Sequence, residues 1–298
     1  MKYCRFLLED QPRYGTLEDR PGDSSNAEPW IVDLAPAPEE DLAFHLAHSR
    51  AAAPGLDFAS LAFEPMPLSA ASLLAPVTPS KIICVGRNYR DHARELGNQA
   101  PTEPLLFFKP PSSLLKPGGV VLMPAVAERV DFEGELALVI DKRVSRLAAD
   151  ADWRSVIRGY TIANDVTARD LQKKDGQWTR AKGFDTFCPV GPIVSDQLDP
   201  EAGVTLETRV NGELRQHGST LDFIFSIPEL LRYISAAITL EPGDLILTGT
   251  PAGVGPLKPG DRVEVSIPGL GALINTFQPG TDEPPDAPGM HPPFTFRI

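Results

Sequence analysis

The sequence predicts an α+β fold in which an irregular β-sheet folds on itself and carries few short helices. From residue 81 onward, short apolar runs such as KIICVG, ELALVI and DLILTG recur between glycines and prolines, a pattern typical of strands. The chain also contains 31 prolines, too many for long helices. Convincing helical patterns occur only at residues 91–96, 167–174 and 228–237.

Three segments are expected along the chain. Residues 1–75 form a small N-terminal domain with short apolar stretches and one helical pattern at 39–50, and a proline-punctuated linker follows at 66–80. The strand-rich catalytic domain occupies residues 76–277. Residues 278–298 are rich in proline and contain little that would pack, so we expect an extended C-terminal arm.

Composition restricts the class of partner and the compartment. A net charge of −12 repels a polyphosphate backbone, so nucleic acid is excluded and a small ligand is expected. No apolar run approaches the roughly 18 residues of a membrane span. The three cysteines are far apart and lack paired spacing, which argues against disulfides and zinc sites. A cytoplasmic protein is therefore expected.

Two glutamates open an otherwise apolar strand. In VDFEGELALVI, Glu133 and Glu135 lie two residues apart and therefore project to one face. Two ionised carboxylates beside a core are costly unless a cation neutralises them. Gly134 between them leaves room on the opposite face for another backbone. The alternative is a solvated strand end, where acidic residues are common.

A third carboxylate follows the next predicted strand. Asp165 comes after YTIAN and before the helical pattern that begins at Thr167. Residues in such loops often form sites, although Asp165 could instead cap the helix. Three carboxylates without a nearby cysteine or histidine suit a hard cation, Mg²⁺ or Mn²⁺. The residues thus predict a cation site at Glu133, Glu135 and Asp165.

Candidates for acid–base chemistry lie in two further segments. His92 and Glu95 share a face of a short predicted helix, where Glu95 could orient His92 as a base. Lys182 is followed by a glycine and by aromatic neighbours, where an ammonium could stabilise an oxyanion. From the residues alone, a His-x-x-Glu pair on a polar helix is usually a surface pair, and Lys182 could equally be a solvated surface lysine.

An ordered series of motifs between residues 82 and 271 resembles one known family. It includes CVGRNYRDHARELG, DFEGELALVI, NDVTARDLQ, WTRAKGFDTFCPVGP and ITLEPGDLILTGTPAGVG. The series resembles the fumarylacetoacetate hydrolase family, in the short-subunit branch that includes acylpyruvate hydrolases and oxaloacetate decarboxylases or tautomerases. The resemblance implies a mixed β-sheet roll or sandwich of that family's C-terminal-domain type, and a homodimer.

The resemblance also implies roles for particular residues. It assigns Mg²⁺ or Mn²⁺ to the three carboxylates, whereas Asn88 stands where founding members have a fourth acidic ligand. His92 and Glu95 match a pair on a helix that orders over the substrate. By the same resemblance, the residues that contact substrate are Lys182, Gln172 and Thr250, the last by binding its carboxylate.

The leading hypothesis is a metal-dependent hydrolase that cleaves a carbon–carbon bond in acylpyruvate-type 2,4-dioxo acids. His92, assisted by Glu95, would activate water, and Lys182 would stabilise charge. The first alternative is oxaloacetate decarboxylation or tautomerisation, or isomerisation of a 2-hydroxy-diene-dioate, at the same site. The second is a noncatalytic ligand-binding protein of the same fold.

Overall fold

The computed structural model describes residues 1–19, 29–41, 63–95, 97 and 99–280. These residues contain twenty strands, in chain order from β1 to β20: Lys2–Leu8, Gln11–Asp19, Pro29–Ala35, Met66–Pro67, Ser72–Leu74, Ile82–Gly86, Leu105–Lys109, Leu114–Leu115, Val120–Met123, Val130–Phe132, Gly134–Ile140, Ile157–Asn164, Thr167–Ala168, Cys188–Ser195, Thr205–Val210, Glu213–Ser219, Leu245–Leu247, Gly255–Pro256, Arg262–Ile267 and Gly271–Pro279.

The helices in this part of the chain are few and short. They are, from α1 to α4, Arg90–Glu95, Arg169–Asp175, Thr179–Lys182 and Ile227–Ala237, with 3-10 turns at Leu68–Ala70, Pro111–Ser113, Trp153–Val156 and Thr220–Asp222. The predicted α+β class is confirmed. None of the helices in these ranges is long and apolar enough to cross a membrane.

The strands form three sheets in the described residues. The largest follows the order β4-β3-β2-β1-β14-β12-β11-β17-β6-β7, with β5 and β8 paired to β1 and β14. A second sheet has the order β16-β15-β19-β20-β9, and β10 lies between β13 and β18 in the third. Because β1 pairs with β14, the N-terminal strands continue the sheet of the rest of the chain.

Strand direction brings several chain segments to one edge of the largest sheet. β11 is antiparallel to both β12 and β17, and β17 is parallel to β6. The ends of β12, β17 and β6 therefore all lie beside the beginning of β11. Segments that follow those strands, which start at Asp165, Thr248 and Arg87, consequently meet the glutamates at the start of β11.

Both faces of β11 are covered, which fixes the position of this edge. Leu136, Leu138 and Ile140 belong to one buried cluster, and Ala137 and Val139 belong to another, as alternation along a strand requires. The first cluster also includes side chains of the second sheet, such as those of β19. Complete burial of each large apolar side chain contributes about 1.5–3 kcal/mol.

Two of the predicted helical patterns agree closely with the structure, whereas the third begins too early. Thr167 and Ala168 form β13 and pair with Val130 and Asp131 of β10, so α2 begins only at Arg169. Backbone pairing with a distant strand thus takes precedence over the local helical pattern. The helix α3 was not predicted, and the pattern at 39–50 lies outside the described residues beyond residue 41.

The structure describes only part of the predicted N-terminal domain and of the predicted C-terminal arm. In the described N-terminal residues, the chain forms β1 to β5, which pair with one another. At the other end, Gln278 and Pro279 still pair with β9 as part of β20. The remainder of the predicted C-terminal arm lies outside the described residues.

Candidate active site

Glu133, Glu135 and Asp165 lie together at the sheet edge described above. Gly134 pairs with Asn164 across β11 and β12, and the backbone N–H of Asp165 donates to the carbonyl of Glu133 at 2.8 Å. One carboxylate oxygen from each of the three acids lies within 4.8 Å of the others, and all three residues are buried. Asp165 does not cap α2, whose N-cap is Ala168.

Gly134 separates the two glutamates and permits close packing on the opposite face. A Cβ atom there would overlap Oγ1 of Thr208 and would lie 2.9 Å from Cγ1 of Val265. Gln216 also approaches this face and accepts the Gly134 N–H at 3.0 Å. The close approach predicted at this glycine exists, but side chains of the second sheet make it rather than another backbone.

Buried cations surround the carboxylates. Lys182 Nζ donates to Glu133 Oε2 at 2.7 Å and to Asp165 Oδ2 at 2.6 Å. Arg169 Nη2 donates to Glu133 Oε1 at 2.6 Å, and Lys109 Nζ donates to Asp165 Oδ1 at 2.6 Å. Two of the three acids are therefore held by cations on both oxygens.

Glu135 differs from the other two acids. It makes no salt bridge with a described residue, and its Oε2 accepts the backbone N–H of Gly249 at 2.6 Å. Burial, together with the charges of Asp165 and Glu133, raises the pKa of Glu135 well above its ordinary value. A buried carboxylate without a cationic partner is costly, so the centre has a deficit of positive charge at this position.

Burial and neighbouring charges have opposite effects on the pKa values of Glu133 and Lys182. Burial alone would raise the pKa of Glu133, but the charges of Lys182 and Arg169 outweigh it and lower the pKa below its ordinary value. Burial alone would lower the pKa of Lys182, but Asp165 and Glu133 hold that pKa above its ordinary value. These groups are consequently ionised around neutral pH.

The centre fits a divalent cation. Its donors are carboxylate oxygens, which Mg²⁺ and Mn²⁺ prefer, and Lys182 Nζ already lies between two of them as a positive charge. The remaining acid, Glu135, lacks such a partner among the described residues. Asp131, beside the centre, forms salt bridges with Arg129 and Arg169.

His92 and Glu95 form a contact on α1. His92 Nδ1 lies 3.3 Å from Glu95 Oε2, and Glu95 also accepts the backbone N–H of Gly253 at 3.1 and 3.2 Å. Burial lowers the pKa of His92, against the opposing charge of Glu133, which favours the neutral imidazole. The histidine is only 4% exposed, so the alternative of a solvated surface pair does not apply to it.

One pocket contains nearly all of the predicted site residues. Those that line it are His92, Glu133, Glu135, Asp165, Gln172, Lys182 and Thr250. Glu95 does not line the pocket and reaches it only through His92. Further lining residues that the sequence did not single out are Arg87, Phe107, Arg169 and Trp178.

Gln172 and Thr250 occupy the pocket wall in different ways. Gln172 Oε1 accepts from Arg169 Nη1 at 2.8 Å. Thr250 Oγ1 donates to the carbonyl of Gly134 at 2.8 Å and accepts from Gln216 Nε2 at 2.7 Å. Both side chains are thus oriented by neighbours, and substrate contact remains a prediction for each.

An aromatic wall supports Lys182. The rings of Phe107 and Trp178 meet edge to face at a centroid distance of 5.2 Å, and Lys182 Nζ lies 5.0 Å from the centroid of Phe107. A Cβ atom at Gly86 would lie 2.9 Å from the Trp178 ring. The glycine therefore allows the indole to close this side of the pocket.

Apart from Lys182, the charged residues around the three carboxylates were not predicted from the sequence, although one signal was available for Asp131. Asp131 stands two residues before Glu133, so the alternation that places both glutamates on one face includes it. Its Oδ2 accepts from Arg169 Nε at 2.9 Å. Nothing in the local patterns around Lys109 or Arg169 indicated burial, because their partners are distant in sequence.

Other candidate chemistry is absent from the described site. Asn88, in place of a fourth acid, donates to the carbonyls of Phe225 and Thr248 and is a structural residue. Burial raises the pKa of the Cys188 thiol to about 12, so it is protonated at neutral pH. His217 is exposed beside Glu207. His45, His48 and His291 lie outside the described residues.

The fold and pocket define an α+β protein with a buried three-carboxylate centre able to hold a cation. The chain belongs to the fumarylacetoacetate hydrolase family, since residues 81–278 match its fumarylacetoacetate (FAA) hydrolase C-terminal domain. This match confirms the family resemblance found in the sequence.

Two relatives and one solved structure illustrate the range of activities in the family. The chain is 47% identical to oxaloacetate tautomerase YisK of Bacillus subtilis, over 70% of this chain and 73% of the relative. It is 43% identical to the mitochondrial oxaloacetate tautomerase FAHD2B of Bos taurus, over 70% of each. The 2-hydroxyhepta-2,4-diene-1,7-dioate isomerase of Mycobacterium marinum superposes with a TM-score of 0.76 at 40% identity, covering 94% and 98% of the two chains.

Proposed function

We propose that the protein is a divalent-cation-dependent tautomerase that interconverts the enol and keto forms of oxaloacetate or a close 2-oxo dicarboxylate. The observation that carries this proposal is the shared pocket: buried His92, three carboxylates and Lys182 all line one cavity. A proton-transfer group and a cation site therefore face the same small substrate. The named activity of the Bacillus subtilis relative, at 47% identity, supports the choice of reaction.

Glu133, Glu135 and Asp165 would hold Mg²⁺ or Mn²⁺, which when bound would bind the carboxylate of the substrate and polarise its 2-oxo group. His92 faces Glu95 through Nδ1, so Nε2 is left to exchange a proton with C3. In the keto-to-enol direction a proton leaves C3 and one is added to the 2-oxygen, and the reverse direction restores both. Lys182 supplies positive charge where negative charge develops on that oxygen.

The experiment that tests this proposal follows the ultraviolet absorbance of enol-oxaloacetate. The wild-type protein with Mg²⁺ should accelerate loss of the enol beyond Mg²⁺ alone, and the keto product should be identified by its reduction with malate dehydrogenase. His92→Gln should lower the rate by roughly a hundredfold to ten-thousandfold, the usual contribution of a general base. His217→Gln, an exposed histidine outside this pocket, is the matched control and should keep wild-type activity.

Acylpyruvate hydrolysis is the second candidate, and the His92–Glu95 contact favours it. The 3.3 Å approach of Glu95 to His92 forms the pair that a water-activating base would use. A panel of acylpyruvates, with pyruvate and the released carboxylic acid identified by NMR, separates the two functions. If kcat/KM for acylpyruvate cleavage exceeded that for oxaloacetate tautomerisation, the tautomerase assignment would be wrong.

We also propose that the protein acts as a cytoplasmic homodimer, as the sequence and its family resemblance predict. Light scattering coupled to size-exclusion chromatography should give twice the mass of one chain. Cell fractionation should recover the protein with the cytoplasmic contents. A monomer at working concentration, or recovery with another compartment, would contradict the corresponding part of this proposal.

A further inference from the structure

Arg87 is a cation of the pocket wall that has no partner among the described residues. It is half-buried and lines the same cavity as His92 and Lys182, yet its guanidinium makes no hydrogen bond or salt bridge with any described residue. The other cations of the pocket are already paired: Arg169 with Asp131, Glu133 and Gln172, and Lys182 with Glu133 and Asp165. Arg87 is thus available to an anionic ligand.

The backbone holds Arg87 at a fixed place. It directly follows β6 and has φ 58°, a conformation that is costly for a long side chain and is more readily adopted by glycine or asparagine. The next residue, Asn88, is buried and tied to Phe225 and Thr248 by hydrogen bonds. The turn is therefore anchored by its neighbour, and the arginine side chain is not needed to form it.

The positions of the charged residues in the pocket indicate which part of a substrate Arg87 would bind. The carboxylates and Lys182 lie at the buried end of the pocket, with exposures of 5% or less, whereas Arg87 is more exposed. A 2-oxo acid whose C1 carboxylate and 2-oxo group occupy the buried end extends its other end away from it. A planar guanidinium binds a carboxylate through two parallel hydrogen bonds.

We propose that Arg87 binds the distal carboxylate of the substrate and so selects 2-oxo dicarboxylates over 2-oxo monocarboxylates. This inference rests on the proposed function, because it requires the C1 carboxylate of a 2-oxo acid to lie at the buried end. It goes further by assigning the selectivity to one residue that takes no part in proton transfer.

A matched pair of substrates tests the assignment by activity. Oxaloacetate and its 4-methyl ester differ in the charge of the distal group, so Arg87→Gln should lower kcat/KM for oxaloacetate by roughly tenfold to a hundredfold and leave the ester unchanged. The loss should appear mainly in KM. Arg87→Lys should retain part of the selectivity, because it keeps the charge and loses the two-pronged geometry. Arg90→Gln, which removes an exposed arginine outside this cavity, should behave as wild type.

A binding measurement separates failure of this inference from failure of the proposed function. Calorimetry with Mg²⁺ present would compare 3,3-difluorooxaloacetate, which has no proton at C3 and cannot enolise, with oxalate, which has no distal carboxylate. Arg87→Gln should lower the affinity for 3,3-difluorooxaloacetate by the same roughly tenfold to hundredfold and leave the affinity for oxalate unchanged. Equal weakening of both ligands, or of neither, would overturn the role of Arg87, with thermal melting used to confirm that the variant is folded. A wild-type protein that binds difluorooxaloacetate through Arg87 but does not tautomerise oxaloacetate would contradict the proposed function alone.

Discussion

Lys109 Nζ donates to Oδ1 of Asp165 at 2.6 Å, and both side chains are almost completely buried, at 0% and 1% exposure. Lys109 ends β7 and Asp165 follows β12, so the pair joins two distant segments across the sheet. Lys109 also donates to the carbonyl of Val166 at 3.1 Å. The lysine thereby binds the Asp165 oxygen that does not accept from Lys182.

Removing Lys109 should therefore destabilise the protein strongly. Lys109→Met leaves Asp165 with one fewer cation in a buried site, and breaking a buried pair in this way costs about 3–5 kcal/mol. The free energy of unfolding in urea measures the effect. Arg143→Met breaks the exposed pair with Glu241 and should cost no more than about 1 kcal/mol. A Lys109→Met variant as stable as that control would show that the buried pair is not a structural requirement.

Gly134→Ala should disturb the centre by overpacking. The new methyl group would overlap Thr208 Oγ1 and press on Val265, at a cost of about 1–3 kcal/mol, and should also weaken Mg²⁺ binding by moving Glu133 and Glu135. Thr208 Oγ1 has no hydrogen-bond partner among the described residues, so Thr208→Ala alone should cost little. The double variant should recover much of the lost stability in a double-mutant cycle. Additive losses would indicate that the overlap is not the cause.

Glu95→Gln should lower tautomerase activity less than His92→Gln does. Glu95 orients His92 and ties α1 to the loop at Gly253, but it does not line the pocket. We expect about tenfold lower kcat and faster hydrogen exchange of the Gly253 amide, because its acceptor is weakened. Asp91→Asn, an exposed change on the same helix whose ion pair among the described residues is with Arg94, is the control. Unchanged kcat and unchanged amide exchange would remove Glu95 from the positioning role.

Much of the carboxylate centre could be predicted because it depends on local geometry. Alternation along the strand places Glu133 and Glu135 on one face. Asp165 lies in the loop that follows β12, where site residues are common, so it could be predicted as the third carboxylate. The energetic cost of buried like charges then required a cation. Each of these steps uses only neighbouring residues in the chain.

Apart from Lys182, the cations around the centre could not be predicted in the same way. Lys109 reaches Asp165 from a strand 56 residues away, and the left-handed backbone at Arg87 leaves no signal in the apolar pattern that precedes it. The start of α2 was placed too early because Thr167 pairs with Asp131, a contact that the local sequence does not indicate. Contacts between residues distant in sequence determine these features, and local sequence propensity does not indicate them.

Magnesium binding to the wild-type protein and to Glu135→Gln, measured by calorimetry, tests the central claim most directly. Glu135 makes no salt bridge among the described residues, so the substitution breaks no ion pair there and should leave the folded protein at least as stable without metal. Mg²⁺ affinity should fall by more than the roughly tenfold to hundredfold that loss of an outer partner costs, whereas Glu128→Gln, an exposed change nearby, should bind as wild type. Unchanged Mg²⁺ affinity in Glu135→Gln would contradict the assignment of the three carboxylates as the cation site.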